Sequence, residues 1–231
     1  MAKNRQVECA EILRRMQALS NPGAVAGLAR FGITAKKAYG LSTPALKQLA
    51  REIGHDHALA QQLWATEVLE GRGLAGLVDQ PERVTERQME RWVRDFDSWA
   101  VCDATCLYLF RKTPFAQRKG REWSSRPQEF VKRAGFALMA YLAVHDKKAP
   151  DETFLAFLPL IEREAVDERP MVKKGVNWAL RQIGKRNQRL NRAAIQVAQT
   201  IQRLDSHSAR WIAADAIREL RSDAVQRRLK R

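Results

Sequence analysis

The chain contains the stretch Val131-Lys132-Arg133-Ala134-Gly135-Phe136-Ala137-Leu138, and 41 residues later it contains Val172-Lys173-Lys174-Gly175-Val176-Asn177-Trp178-Ala179. A weaker similarity relates residues 179–183 to residues 216–220, at an offset of 37 residues. An internal period of about 40 residues is typical of HEAT-type repeats, in which each unit is a pair of helices that stacks on the next. The repeats therefore predict a helical solenoid with a concave binding surface.

Helical periodicity also dominates the rest of the chain, and no alternating segment is long enough to propose a sheet. We expect an all-α, HEAT-like repeat solenoid that forms one domain over residues 1–231. The segment 112–127 is predicted to be the most irregular link. Helices are predicted at about 4–19, 25–31, 43–53, 56–65, 67–78, 86–96, 99–111, 127–144, 151–165, 170–184, 190–203 and 208–229.

The charge balance is strongly basic. Lys and Arg number 41 and Asp and Glu number 26, which gives a formal net charge of +15. Such an excess favours nucleic acid as the partner and a basic concave surface, with an anionic membrane surface or an acidic protein as alternatives. No apolar run approaches the roughly twenty residues of a membrane span, and the first residues lack the apolar region of a signal peptide. We expect a cytoplasmic protein without a membrane partner.

The stretch from Ser98 to Phe110 predicts a helix that is apolar almost all round, and such a helix is normally buried. Asp103 is its only charged residue, and helical spacing places it on one stripe with Trp99 and Cys106. Burying an unpaired carboxylate costs several kcal/mol, roughly. Asp103 therefore faces a functional opening, is protonated, or is a core residue that pairs with an arginine or caps a neighbouring helix. The sequence leaves these interpretations open.

The segment 171–185 predicts a helix with two distinct faces. Its apolar stripe comprises Val172, Val176, Leu180 and Ile183, and the opposite side carries Lys174, Trp178, Arg181 and Lys185. A tryptophan between cations is suited to stacking on bases or sugars while the cations neutralise phosphates. The alternative is that Trp178 packs against the next helix of the solenoid.

Cations also recur at equivalent repeat positions. Lys132 corresponds to Lys173, and Arg133 corresponds to Lys174. Equivalent cations in stacked repeats would align along one surface and could contact a phosphate backbone. A solvated charged face is the alternative for any single lysine.

Other candidate motifs are weak. Residues 71–76 spell G-x-G-x-x-G, but no strand precedes them, so the glycines are interpreted as sites of close helix packing. The three cysteines and four histidines suggest neither a metal set nor a catalytic triad. We therefore predict no metal and no cofactor.

Over nearly its full length, the chain resembles the AlkD-type DNA alkylation repair glycosylases, a family of HEAT-like repeat proteins. The resemblance is strongest at Ser98-Trp99 with Asp103, at residues 131–134 and at residues 174–181. It implies a catalytic group of Trp99, Asp103 and Trp178 and DNA-binding arginines at Arg133 and Arg181; the neighbouring cations Lys132, Lys173, Lys174 and Lys185 are predicted to bind DNA as well.

The resemblance implies excision of cationic N3- and N7-alkylated purines from double-stranded DNA by a monomeric enzyme, without a base-flipping pocket. Two positions depart from the family pattern: Phe31 stands where a tyrosine is expected, and Pro170-Met171 stands where relatives can carry two phenylalanines. The family also includes members that bind unusual DNA structures without excision. A non-catalytic binder of branched or damaged DNA and a scaffold for an acidic protein remain alternatives.

Overall fold

A computed structural model describes residues 8–230, and within that range the chain is all-α and contains no strand. This confirms the predicted fold class. Short 3-10 helices lie at Leu28–Phe31, Pro81–Arg83 and Phe110–Lys112. The α-helices are α1 (Cys9–Ala18), α2 (Pro22–Gly27), α3 (Thr43–Ile53), α4 (His57–Ala65), α5 (Leu69–Val78), α6 (Glu86–Arg94), α7 (Trp99–Tyr108), α8 (Ala116–Ser124), α9 (Glu129–His145), α10 (Asp151–Leu155), α11 (Leu158–Glu164), α12 (Pro170–Gly184), α13 (Gln188–Ile201), α14 (His207–Leu220) and α15 (Asp223–Leu229).

The chain falls into two compact units, one ending at Thr113 and the other beginning at Pro114. We call them unit 1 and unit 2. Unit 1 contains α1 to α7, and unit 2 contains α8 to α15. That residues 1–231 form one domain stays a prediction.

Unit 1 is centred on α5, which packs against α3, α4 and α7. Gly76 of α5 lies opposite Thr105 of α7, and a Cβ atom at Gly76 would be 3.6 Å from the Thr105 Cα atom. This contact agrees with the interpretation of the G-x-G-x-x-G residues as packing sites. Elsewhere in the unit, Trp64 and Trp92 stack with centroids 4.0 Å apart, next to Phe96. All three aromatic side chains are buried, so this cluster forms part of the core of unit 1.

Unit 2 is built around α9, which packs against α8 on one side and α12 on the other. Gly135 of α9 allows the close approach of α8, because a Cβ atom there would be 2.5 Å from Ser124 N and 2.9 Å from Gly120 O. On the other side, Gly175 of α12 faces Arg133 and Phe136 of α9. Helix α9 packs on α12, and α12 packs on α14. These three helices are the successive copies that the sequence repeats predict.

Several predicted helix ends are observed for the expected reasons. Ser42 accepts a hydrogen bond from the backbone N–H of Ala45 and so caps α3, whose first turn contains Pro44. The same helix ends before Gly54, whose φ of 78° lies in the left-handed region. The predicted start of the first helix near residue 4 lies outside the described residues.

The prediction of an irregular link at 112–127 is wrong, because this segment contains α8. Its many charged residues obscure a buried stripe of Ala116, Gly120 and Trp123, at helical spacing. The two small residues and the tryptophan are the signal that could have identified the helix.

Two predicted helices are each divided in two. Residues 151–165 form α10 and α11, because Pro159 lacks an N–H group and is accommodated only in the first turn of a new helix. Residues 208–229 form α14 and α15, and Ser222 caps the second of these by accepting a hydrogen bond from Val225 N. Within residues 8–230, no helix has both the length and the apolar character that a membrane span requires.

Candidate nucleic-acid interface

The predicted carboxylate and the first predicted tryptophan lie together on α7. Trp99 is its first residue and Asp103 follows one turn later, so both side chains project from the same side of the helix. Both residues are half-buried. The Trp99 indole Nε1–H donates a hydrogen bond of 2.7 Å to the carbonyl oxygen of Phe31. This bond fixes the indole against the segment that precedes Gly32.

Another side of α7 faces an apolar cavity of about 390 Å³ within unit 1, whose lining includes Ala100, Val101 and Ala104. Glu70 also lines this cavity, is 4% exposed, and accepts hydrogen bonds from the backbone N–H groups of residues 39–41. The buried carboxylate thus stabilises the loop that closes one side of the cavity. Sequence reasoning missed Glu70; its only signal was an acidic residue beside glycines in an otherwise apolar helix.

The second predicted tryptophan lies on α12 in unit 2. The predicted apolar stripe of α12 is fully buried, with Val172, Val176, Leu180 and Ile183 each 0% exposed. Trp178 on the other side is half-buried and meets Tyr141 of α9 edge to face, with ring centroids 4.7 Å apart. The Gln182 amide is oriented with its oxygen toward two donors. That oxygen accepts hydrogen bonds from Trp178 Nε1 at 3.3 Å and from Lys185 Nζ at 3.2 Å. Both the tyrosine and the glutamine therefore orient the Trp178 ring.

Two predicted DNA-binding cations of α12 are paired with acids of α14. Arg181 Nη1 lies 2.6 Å from Glu219 and 3.4 Å from Asp215, and Lys185 Nζ lies 2.7 Å from Glu219. Burial alone would raise the pKa of Glu219, but the hydrogen bond and charge of Lys185 and the charge of Arg181 outweigh it and lower that pKa. The positive charge on this part of α12 is therefore partly neutralised.

The two predicted cations of α9 also have partners inside unit 2. Arg133 is 7% exposed, and its Nη1 atom donates a hydrogen bond of 2.7 Å to the carbonyl oxygen of Met171 at the start of α12. Lys132 forms ion pairs with Glu164 and with Asp167, the latter at 3.0 Å. These contacts tie α9 to the repeat that follows it. That Lys132 and Arg133 bind DNA stays a prediction.

Among the acids of this group, Asp167 has the largest shift in pKa. Desolvation opposes its ionisation, but hydrogen bonds from Arg169 and Lys132 outweigh desolvation and lower its pKa from 3.8 to about 2. Asp167 is thus a structural carboxylate that holds Lys132 and Arg169 just before the start of α12.

Lys173 and Lys174 differ in their surroundings. The Lys173 ammonium lies 5.4 Å from the ring centroid of Trp211 on α14, a distance at which a cation–π attraction operates. Lys174 is exposed. Trp211 is itself 43% exposed, and sequence reasoning missed it. The signal that could have identified it is its position beside Arg210, one repeat after the basic pair.

The structure therefore brings the predicted residues together in two groups. Trp99 and Asp103 share α7 in unit 1, while Lys174, Trp178, Arg181 and Lys185 share the polar face of α12 in unit 2. Among residues 8–230, no cluster of three His, Cys, Asp or Glu side chains has the arrangement of a metal site.

Comparisons with known proteins identify the type of protein. A solved structure described as "A new family of proteins related to the HEAT-like repeat DNA glycosylases with affinity for branched DNA structures" superposes with a TM-score of 0.77. The match covers 92% of this chain and 95% of that chain, at 17% sequence identity, and it shows that the chain has the HEAT-like repeat fold. No curated protein sequence matches the chain.

The sequence profile of a family described as DNA alkylation repair enzyme matches residues 12–220, which is most of the chain. The match includes both α7 and α12 and so spans both groups of candidate residues. This chain belongs to the DNA alkylation repair enzyme family.

Proposed function

We propose that this protein is a monofunctional DNA glycosylase that hydrolyses the N-glycosidic bond of cationic N3- and N7-alkylated purines in duplex DNA. The observation that supports it most directly is the pair on α7: Asp103 and Trp99 lie one helical turn apart, both half-buried, in a member of a DNA alkylation repair family. A net charge of +15 suits a polyanionic substrate.

The chemistry needs few groups. An alkylpurine with a fixed positive charge leaves without protonation, because the electrons of the breaking C1′–N bond neutralise it. Positive charge then develops on the deoxyribose, and the Asp103 carboxylate would stabilise it electrostatically. The same carboxylate would accept a proton from the water that attacks C1′. A carboxylate without a general acid is therefore sufficient for this leaving group.

The indoles would act on the substrate's positive charge. A cation over an indole ring gains about 0.5–2 kcal/mol, depending on how well water is excluded. Trp99 is suited to this role because its N–H group is held by Phe31 O, which limits the motion of the ring. Trp178 is held by the ring of Tyr141 and by a hydrogen bond from its N–H group to Gln182. Neither role requires the purine to enter an enclosed pocket.

Release of 7-methylguanine from methylated duplex DNA tests the proposal. We expect Asp103→Asn to lower the single-turnover rate of base release by about 100-fold or more, the effect typical of removing one preorganised electrostatic group. Asp205→Asn is the matched control, because the Asp205 side chain is fully exposed and, among residues 8–230, pairs only with Arg210. If the wild-type protein binds the methylated duplex without releasing any base, the enzymatic proposal is wrong.

A second candidate function is non-catalytic binding of branched DNA. It is favoured by the superposed structure, whose family is described as having affinity for branched DNA structures. In this case Lys174→Glu and Arg181→Glu weaken binding to a three-way junction, whereas Asp103→Asn has no effect. Lys174 is the cleaner position because it is exposed, while Arg181→Glu would also place a carboxylate beside Glu219. A junction-binding assay and the base-release assay together distinguish the two functions.

A further inference from the structure

Unit 2 contains a second basic feature, an open pocket of about 520 Å³ near the end of α12. We call it the Lys185 pocket. Four cationic residues line it: Lys147, Lys185, Arg186 and Arg228. The remaining lining residues of the described chain are apolar or amides, and none is acidic. A concave site with four positive charges and no carboxylate in its lining concentrates a positive potential.

The cations differ in how firmly they are held. Arg186 donates hydrogen bonds to the carbonyl oxygens of Ala143 and Ala149, and its guanidinium lies 4.2 Å from the centroid of Phe154. Arg228 donates to the carbonyl oxygen of Lys185 at 3.0 Å. These bonds fix both guanidinium groups, and neither group has a carboxylate partner among residues 8–230. A preorganised guanidinium that lacks an acidic partner is well suited to bind a phosphate.

Lys147 and Lys185 complete the lining. Lys185 pairs with Glu219, which lies outside the lining. Lys147 is exposed, and its ammonium has no hydrogen bond or ion pair with the described residues. Asn187, the N-cap residue of α13, also lines the pocket, and the helix dipole adds to the positive potential. The pocket volume falls within the range of about 300–1,000 Å³ that is usual for small ligands.

The pocket continues the polar face that carries Trp178. Gln182 lines the pocket and contacts both Trp178 and Lys185. Trp178 and Lys185 are seven residues apart on α12, so they are separated by about 10 Å along the helix axis. One strand of DNA presents a phosphate about every 3.4 Å of its axis, so about three nucleotides span this distance.

We infer that the Lys185 pocket binds a phosphate group, carried by a DNA strand that also contacts the polar face of α12. The inference rests on the proposed function only in taking DNA as the partner. A free phosphomonoester offers the same chemistry, and the experiment separates the two sources.

The first arm measures binding of fluorescently labelled, undamaged duplex DNA by anisotropy at several salt concentrations. Lys147→Ala with Arg228→Ala removes two pocket cations. The control variant combines Lys148→Ala with Arg227→Ala. It removes two exposed cations that neighbour the pocket but do not line it, so its net charge changes by the same amount as that of the pocket variant. For the pocket variant, we expect affinity to fall about tenfold and the slope of log K against log [salt] to become shallower by about two. The control variant should lose less than half as much.

The second arm measures binding of inorganic phosphate and of deoxyadenosine monophosphate by calorimetry. Suppose that the two phosphate ligands bind the wild-type protein but not the pocket variant, while the pocket and control variants bind DNA with equal affinity. The pocket then takes a free phosphomonoester. A loss of DNA affinity in the pocket variant that is more than twice the loss in the control variant identifies a DNA phosphate instead. If the two double variants behave alike in both arms, the inference is overturned.

One further variant separates loss of charge from loss of a structural contact. Arg228→Ala also removes a hydrogen bond to the backbone, so the double variant could lose structure as well as charge. The single variant Lys147→Ala avoids this, because the Lys147 side chain has no partner in the described chain. It should show about half of the change in salt slope. Because the DNA is undamaged, none of these results depends on base release. Failure of the Asp103 test therefore leaves the pocket inference intact, and failure here leaves the glycosylase proposal intact.

Discussion

The polar faces of α7 and α12 carry their charges in different ways. On α7, Asp103 is the single charged residue of an otherwise apolar helix, accompanied by an indole that is fixed by one backbone hydrogen bond. On α12, Arg181 and Lys185 are held in a network with Asp215 and Glu219 of α14. The first face has one acid among apolar residues, and the second has cations whose charge is partly neutralised by acids of α14.

The comparison shows that residue type alone does not establish how available a charge is. The sequence predicts six cations that bind phosphate, yet Lys132, Arg133, Arg181 and Lys185 all have partners within unit 2. These contacts join residues that are close to one repeat apart, for example Arg181 with Glu219 and Asn177 with Asp215. The same charges thus stabilise the stacking of repeats, and any DNA that binds Lys132, Arg181 or Lys185 competes with an internal acid.

The largest expected effect on stability comes from breaking this network at Asp215. Asp215 accepts a hydrogen bond from Asn177, which is 2% exposed, and pairs with Arg181 and Arg218. Asp215→Ala should lower the free energy of unfolding by about 2–3 kcal/mol, because the buried Asn177 amide and two cations lose their acceptor. Urea unfolding measures this, and Asp205→Ala on the exposed surface should cost less than about 0.5 kcal/mol. Equal losses for both variants would show that the α12–α14 network is not structural.

A second expected effect depends on pH. The pKa of Asp167 is about 2 in the folded chain, compared with 3.8 for an aspartate in the unfolded chain. The folded state therefore favours the ionised form. This stability is present above about pH 5 and is lost as the pH falls toward 2, and it amounts to about 2 kcal/mol. Asp167→Asn should therefore be less stable than wild type at pH 7, with a difference that shrinks toward pH 2.

Urea unfolding at several pH values between 2 and 7 measures this difference. The control is Asp205→Asn, whose exposed carboxylate should leave the pH dependence as it is in wild type. A difference between Asp167→Asn and wild type that is constant with pH would contradict the assignment of the acid-sensitive stability to Asp167.

Much of the fold can be predicted from local chemistry. The hydroxyl cap at Ser42, the apolar stripe of α12 and the repeat period each determine structure through neighbouring residues in the sequence, and the structure contains all three. The segment with α8 was missed because its stability depends on the packing of Gly120 against α9 and on the burial of Trp123, which are tertiary effects.

The candidate site was predictable only in part. Sequence spacing places Trp99 and Asp103 on one side of α7, because one helix determines both positions. The pairing of Lys132 with Asp167 and of Lys185 with Glu219 depends on how consecutive repeats stack, and no local pattern specifies it. Trp211 was missed for the same reason, since its relation to Lys173 exists only once α14 packs beside α12.

The smallest expected effect has the opposite sign from the other changes. Glu219→Gln removes the carboxylate that Arg181 and Lys185 share, and it keeps a side chain of the same size that can still accept one hydrogen bond. If these cations face DNA, affinity for an undamaged duplex should rise about threefold to tenfold and its salt dependence should steepen, because the phosphates no longer compete with Glu219. Glu67→Gln makes the same charge change at an exposed position of unit 1, so anisotropy titrations should show little change for that variant. Unchanged or weaker DNA binding by Glu219→Gln would mean that the α12 cations serve repeat stacking alone, and the DNA contacts would then have to come from exposed residues such as Lys174.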